Sequence, residues 1–334
     1  MLPKKKDNKN YNFSQPILGI LDERYIILEP IDDGYTSIVH KVYDKITKEF
    51  RAAKIVKDNY FHMFSKEEEI LKKINDYNLD SNIKLYDSGI GPLTLNKTTE
   101  KEKMYFILEY AEHGSLFDQF EKTSDGFSEI VCQYILYIII KAVSDLHKKG
   151  ICHRDIKLEN ILIVGNDYIL KLCDFGFSTY FLDENNNKKK LEESLGTEHY
   201  YPPEILEGKY YDGEKVDIFC IGFLLFILMT KCYPFIEARI FEHITEKSQI
   251  LYNLIIEKKI DEYWEIIEKN FSVKILSPEF KELFIQMVSY NPLERPSLEE
   301  IMNSKWMKKF RNVNQEYLDE LRYKMISEMN KNEA

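Results

Sequence analysis

Two short stretches restrict this chain more than any others: His153-Arg154-Asp155-Ile156-Lys157-Leu158-Glu159-Asn160 and Asp174-Phe175-Gly176. They set two carboxylates, a lysine and a side-chain amide at fixed offsets. Those are the groups needed to hold a metal–nucleotide and to deprotonate an alcohol. Five fixed positions in eight arise by chance at roughly one start in a million or rarer. Taken alone, His-Arg-Asp would fit a buried, hydrogen-bonded turn. The second motif at its distance argues for chemistry instead.

The pair resembles the catalytic loop and metal-binding motif of the protein kinases. The resemblance runs from about Tyr25 to about Phe310. It implies an α+β, bilobal fold: a small antiparallel β-sheet lobe with one key helix, and a larger, mainly α-helical lobe. Residues 1–24 would then be an N-terminal tail and 25–310 the kinase domain. The small lobe spans about 25–108 and the large lobe about 112–310. Residues 311–334 would be a C-terminal tail, predicted helical. By the same resemblance Asp155 accepts the substrate hydroxyl proton, and Lys157 reaches the transferring γ-phosphate. Asn160 and Asp174 offer hard oxygens suited to Mg²⁺. Phosphoryl transfer asks a protein for positioning and charge neutralisation more than for covalent work. The implied cofactors are ATP and Mg²⁺. Lys157 at this offset is similar to serine/threonine kinases.

Upstream, Phe50 to Lys57 reads as a strand between turns. Its Arg51-Ala52-Ala53-Lys54 resembles the family's third strand, where Lys54 would pair the α- and β-phosphates. Phe61 to Asn75 has helical spacing through Phe64, Glu67/Glu68, Leu71 and Ile74. Counting back from Leu71 as in the family makes Glu67 the partner of Lys54. Glu68 and Glu69 adjoin it, and a solvated face accounts for two of the three glutamates. Ile31-Asp32-Asp33-Gly34-Tyr35-Thr36-Ser37-Ile38-Val39 aligns with the phosphate-covering Gly-x-Gly-x-x-Gly-x-Val. Only Gly34 survives, Ser37 is a tolerable small residue, and Asp32 adds a negative charge near polyphosphate. Nucleotide binding weaker than usual is the expectation. Ile31, Gly34, Ser37, Val39, Ala52 and Leu162 would line the nucleotide. In Met104 to Ala111, which resembles the hinge, Leu108 would be the gatekeeper and the backbone of Glu109 and Ala111 would meet adenine. Ser115 stands where many relatives place an acidic ribose contact.

Gly196-Thr197-Glu198-His199-Tyr200-Tyr201-Pro202-Pro203-Glu204 resembles the end of an activation segment. Thr197 would pack by Asp155, Glu204 would pair with a buried Arg295, and Asp217 would anchor the catalytic loop. Arg154 marks kinases switched by phosphate on that segment. Ser194, Thr179 and Ser178 are the candidate acceptors, and Glu193 could partly replace a phosphate. The run 183–190 is predicted mobile, and 92–103 is read as a polar loop. Glu159 suggests protein substrates with basic residues near the Ser or Thr.

With 334 residues, 44% hydrophobic, the chain can bury a large core. Its net charge of −10 argues against nucleic-acid binding. Five scattered cysteines suggest neither zinc nor disulfides. A reducing cytoplasm, with the nucleus as second choice, is the expected location. The most apolar run, Ile218 to Met229, is short of the roughly 20 residues a membrane span needs. Lys4 to Asn10 reads as a basic disordered tail. Tyr317 to Met329 reads as a charged amphipathic helix, either the last helix of the domain or a calmodulin target. The overall pattern resembles the calcium/calmodulin-dependent kinase group, with protist-like composition. The leading function is a protein serine/threonine kinase in signalling. The alternatives are a pseudokinase scaffold with weak nucleotide binding and a small-molecule kinase, against which Thr197 argues.

Overall fold

Alternating apolar positions build the first part of the chain. The computed structural model describes Phe13 and residues 16–95, 98–235, 247–270 and 276–332; the basic tail at Lys4–Asn10 lies outside them. The chain divides into two units, residues 1–65 with 85–110, and residues 66–84 with 111–334. In the first unit lie β1 (Gly19–Leu21), β2 (Tyr25–Asp33), β3 (Ser37–Asp44), β4 (Phe50–Val56), β5 (Leu85–Leu95) and β6 (Thr98–Leu108). All pair antiparallel in the order β1-β2-β3-β4-β6-β5, and β1 closes on β5 to make a barrel. Strand side chains alternate between faces. One face therefore collects Leu21, Tyr25, Ile27, Val42, Ala53, Ile55, Leu93, Tyr105 and Ile107 into a single core. Among the described residues, closure leaves the barrel no long unpaired edge.

The polar loop expected at 92–103 is instead the end of a long hairpin. Pro92 pairs with Glu102, Thr94 with Thr99, and Leu95 with Thr98. Polar residues fill most of this stretch and hid the strands, while Leu93 enters the core. Helix α1 (Phe61–Asp76) follows β4 and buries Phe64, Ile70, Leu71 and Ile74.

The second unit is mainly helical: α2 (Leu116–Glu121), α3 (Glu129–His147), α4 (Pro203–Leu206), α5 (Gly213–Thr230), α6 (Lys247–Ile256), α7 (Ile260–Asn270), α8 (Pro278–Met287), α9 (Leu298–Met302) and α10 (Gln315–Met329). Two small antiparallel ladders cross it: β7 (Ile151–Cys152) with β10 (Thr179–Tyr180), and β8 (Ile161–Val164) with β9 (Ile169–Leu172). Helix α5 is buried almost all round, which explains the apolar run 218–229 without a membrane. Helix α3 is long and apolar enough to cross a bilayer by composition, yet most of it is buried against its neighbours.

Helix α10 packs on α3 through Leu321, Met325 and Met329, a stripe at fourfold spacing. Its Glu328 carboxylate accepts from the backbone N–H of Ser128 at 2.8 Å and from the Ser128 hydroxyl at 2.5 Å. Ser128 is the N-cap of α3, so the carboxylate sits where an exposed helix start favours an anion. The run 183–190, predicted mobile, folds over Asp183. That carboxylate accepts from the backbone N–H groups of Asn185 and Asn187, each at 2.8 Å. Asn and Asp favour such local turns because their side chains mimic a backbone acceptor.

Candidate active site

Strand β7 delivers the chain into the loop 153–160. The buried Asp217 of α5 fixes it there. Its two carboxylate oxygens accept from the backbone N–H of His153 at 2.9 Å and of Arg154 at 2.7 Å. His147, at the end of α3, meets the same carboxylate at 2.7 Å through Nε2. Arg154 has φ of +67° and Asp174 has φ of +60°. Non-glycine residues in the left-handed region are uncommon and need support from their surroundings. Here Asp217 supports the first. The second is held by backbone on its N-terminal side, where Cys173 N–H donates to the Asn160 carbonyl at 2.9 Å. His153 Nε2 also bonds the Cys173 carbonyl at 2.9 Å. The β8–β9 hairpin, with Ile161 opposite Leu172, thereby brings Asn160 and Asp174 to one end.

Around Asp155 the polar groups form a closed set. Lys157 Nζ donates to Thr197 Oγ1 at 2.7 Å, and Thr197 Oγ1 donates to Asp155 Oδ1 at 2.7 Å. Lys157 Nζ lies 2.9 Å from Asp155 Oδ2. Asn160 Nδ2 donates to Asp155 Oδ2 at 3.0 Å and to the Asp155 carbonyl at 2.8 Å. These amide donations fix which way Asn160 faces and turn its carbonyl oxygen away from Asp155. Burial works against the Lys157 charge, but Asp155, Glu159 and Asp174 outweigh it and raise its pKa. Gly196, φ +120°, lies so close that a Cβ there would meet the Arg154 carbonyl at 2.6 Å. Only glycine lets the segment bearing Thr197 approach the loop this way.

A second cluster surrounds the Arg154 side chain. Its Nη1 donates to Glu193 Oε2 at 3.0 Å and to the Tyr211 hydroxyl at 2.9 Å, and its Nε donates to the Phe177 carbonyl at 2.7 Å. The Tyr211 hydroxyl in turn donates to the Glu193 carbonyl at 2.7 Å. Burial alone would raise the Glu193 pKa, but the bond and charge of Arg154 dominate and hold it below the usual range. Of the three candidate phosphate acceptors, Ser178 and Thr179 are buried, at 1% and 5% exposure, while Ser194 is exposed. Ser178 bonds the His153 carbonyl and Thr179 lies in the β7–β10 ladder, so neither is accessible here. Arg295 makes a two-pronged pair with Glu204, both distances 2.7 Å, as the sequence led us to expect.

In the first unit Lys54 is buried on β4, opposite Val39 of β3 and Phe106 of β6. Ala52 lies two residues before it on the same strand, buried, and Ser37 is buried at the start of β3. Ile31 and Asp32 are exposed near the end of β2, and Gly34 sits in the turn to β3. Glu109 and Ala111 occupy the irregular segment after β6, and Leu162 lies on β8 opposite Lys171. Among the three glutamates of α1, Glu67 is the buried one, at 5% exposure. Glu68 pairs with Lys72 and Glu69 with Lys73 on the outer face.

Ser115 is occupied elsewhere. Its hydroxyl caps α2, accepting from Asp118 N–H at 3.1 Å, while the Asp118 carboxylate accepts from Ser115 in return. His147 and Tyr211 were missed in the sequence. Each lies far along the chain from its partner, and neither sits in a recognisable spacing.

Among the described residues no cluster of three or more His, Cys, Asp or Glu could hold a metal by itself. The donor set fits Mg²⁺ all the same. That ion prefers one or two carboxylates completed by water and substrate phosphates to an all-protein cage.

The family pattern described as "Protein kinase domain" matches residues 25–307. The chain is 31% identical over 286 residues to calcium-dependent protein kinase 5 of Plasmodium falciparum, covering 84% of this chain and 44% of that protein. It is 35% identical over 205 residues to the human SNF-related serine/threonine-protein kinase, covering 61% of this chain and 24% of that one. With CBL-interacting protein kinase 26 of rice it shares 32% identity over 214 residues, covering 64% and 39%. The chain thus spans less than half the length of these relatives.

Proposed function

The chain belongs to the protein kinase domain family, and on that premise we propose that it is an ATP-dependent protein serine/threonine kinase. It would move the γ-phosphate of ATP to the hydroxyl of a Ser or Thr in protein substrates. The observation that carries this reading is the closed set Asp155–Lys157–Thr197, with Asn160 fastened to it. Asp155 Oδ atoms stand ready to accept the substrate hydroxyl proton as the hydroxyl oxygen attacks phosphorus. Lys157, kept protonated by its acidic neighbours, would neutralise charge on the transferring phosphoryl group. Thr197 holds both side chains in place and ties them to the segment on which a polypeptide would rest. Asn160 and Asp174 would hold Mg²⁺, which supplies further charge neutralisation on the phosphate oxygens when bound. Lys54 would orient the α- and β-phosphates and Glu67 would orient Lys54. Ile31, Gly34, Ser37, Val39, Ala52, Leu162 and the backbone of Glu109 and Ala111 would enclose the nucleotide.

Regulation follows from the Arg154 cluster. Glu193 supplies an anion where an added phosphate would otherwise be needed, so the enzyme would have basal activity, with exposed Ser194 as a tuning site. An exposed Glu159 beside the catalytic loop supports a preference for basic residues in the substrate. Five free thiols, four of them buried, support a reducing compartment, cytoplasm or nucleus. A calmodulin target at the C-terminus would require α10 to leave α3, because its apolar stripe is buried there. A pseudokinase scaffold would keep the fold but lack at least one of Lys54, Asp155, Asn160 and Asp174; all four are present. Radiolabelled phosphate transfer from ATP to a generic basic protein, with Asp174→Asn as control, tests the reading. Transfer by the parent chain that the variant loses is the expected result, and no transfer by either rejects catalysis.

A further inference from the structure

The phosphate-covering loop has lost two of its three glycines, yet it is tied down by a segment outside the motif. Gly34, Tyr35 and Thr36 form the three-residue turn between β2 and β3, whose ladder continues through Asp33 opposite Ile38. Lys57, just past the end of β4, donates from Nζ to the Gly34 carbonyl at 2.7 Å and to Asp33 Oδ1 at 2.8 Å. Its backbone N–H donates to the Thr36 carbonyl at 2.9 Å. Three residues on, the Tyr60 ring packs against that of Tyr35, with centroids 5.2 Å apart. Tyr35 stays 82% exposed with that contact in place.

An exposed lysine–aspartate pair contributes little alone, because solvent screens it and two long side chains must be ordered. Here the same ammonium also takes a backbone carbonyl, and the neighbouring backbone and ring hold the rest of the turn. The glycine is not demanded by the turn itself. Gly34 does not adopt a positive φ, and a Cβ there would make only ordinary 3.6 Å contacts. Asp33 meanwhile places a carboxylate at the edge of a loop that must cover polyphosphate.

We propose that Lys57, assisted by Tyr60, is a positioning residue that holds the phosphate-covering loop in a preformed shape and offsets the charge of Asp33, so that ATP affinity depends on it. The proposal rests on the kinase reading. A loop ordered before the ligand arrives loses less entropy on binding. Lys57 acts through the loop, so its loss should appear in KM for ATP rather than in kcat.

The test compares the whole chain with Lys57→Met, Lys57→Arg and Tyr60→Leu. Amide hydrogen exchange at residues 34–37 is read without nucleotide, and ATP binding and steady-state kinetics are read with it. Lys57→Met should speed exchange in the loop and raise KM for ATP about three- to tenfold, with kcat within about twofold. Lys57→Arg should restore most of the affinity. Tyr60→Leu should repeat the exchange effect more weakly, and it serves in place of Lys57→Met if that variant unfolds. An unchanged KM, or a raised KM without faster loop exchange, overturns the proposal. Absence of ATP binding by the parent chain rejects the kinase reading instead, while exchange in the loop still reports on the tether.

Discussion

Arg154 and Glu193 form an ion pair at 3.0 Å, between an arginine adjoining Asp155 and a carboxylate encoded in the same chain. The arginine side chain is 1% exposed and Glu193 54%. The charge that must be satisfied is therefore the arginine's, since an unpaired buried charge is costly.

Basal activity should survive phosphatase treatment, and Glu193→Gln should lower it several-fold. Phosphate transfer by the dephosphorylated chain and by the variant checks this; complete loss on dephosphorylation contradicts it. The Glu193 pKa is depressed on folding. Its contribution is thus complete above the usual glutamate pKa and disappears only as pH falls through the lower, folded value. Between pH 6 and 8 the pH–rate profile of the parent should show no step that Glu193→Gln removes.

Glu204→Gln should destabilise the second unit strongly. It leaves Arg295, which is 2% exposed, without its carboxylate. Breaking such a pair costs about 3–5 kcal/mol, which denaturant unfolding would register as a lower midpoint. A shift equivalent to less than about 1 kcal/mol would mean that the Ser289 and Lys215 carbonyls, which also accept from Arg295, carry the arginine unaided.

Gly34→Ala should leave thermal stability unchanged while raising KM for ATP, because the free turn has room for a methyl group and the bound phosphates would not. Asp32→Gly should move KM in the opposite direction by removing a like charge. Equal ATP affinity in all three chains would separate this loop from nucleotide binding.

In the first unit Asp44 should set an acid limit on stability. Arg24 donates to it at 2.7 and 2.9 Å, and the backbone of Ile46 adds a bond. Burial opposes the charge, but these bonds prevail and lower its pKa from 3.8 to about 2. A lowered carboxylate stabilises the fold above its unfolded pKa, and the gain is lost as pH drops from near 4 toward 2. Asp44→Asn should lower the unfolding midpoint at pH 7 and flatten its pH dependence in that window.

Met325→Ala should cost about 2–5 kcal/mol, as for other buried methionines. Calmodulin should capture neither the parent chain nor a Glu328→Ala variant while α10 stays on α3. A pull-down with and without Ca²⁺ checks this, and Ca²⁺-dependent capture of the folded parent would show that the helix detaches.

The glutamate run of α1 shows how far sequence reasoning reaches. Counting from Leu71 reached Glu67, but spacing alone could not say which neighbours were solvated. Burial of Glu67 and the outward i,i+4 pairs of Glu68 and Glu69 supplied that. The hairpin at 92–103 was misread because its run of threonine, lysine and glutamate resembles a loop in composition. Asp217 and the Glu204–Arg295 pair were found only through resemblance. Composition gives no reason for residues so distant in the chain to meet.

The sequence by itself determined the chemistry available: which carboxylates, lysines and amides lie at offsets too specific for chance, and which periodicities make strands and helices. Only the tertiary structure decided how those groups are satisfied. It closed Lys157 and Thr197 onto Asp155, placed Glu193 on a buried arginine, committed Ser115 to capping α2 and tied a glycine-poor loop to Lys57. Hydrogen bonds and ion pairs depend on distances between segments, and these are set by packing of the whole chain, which no local pattern encodes.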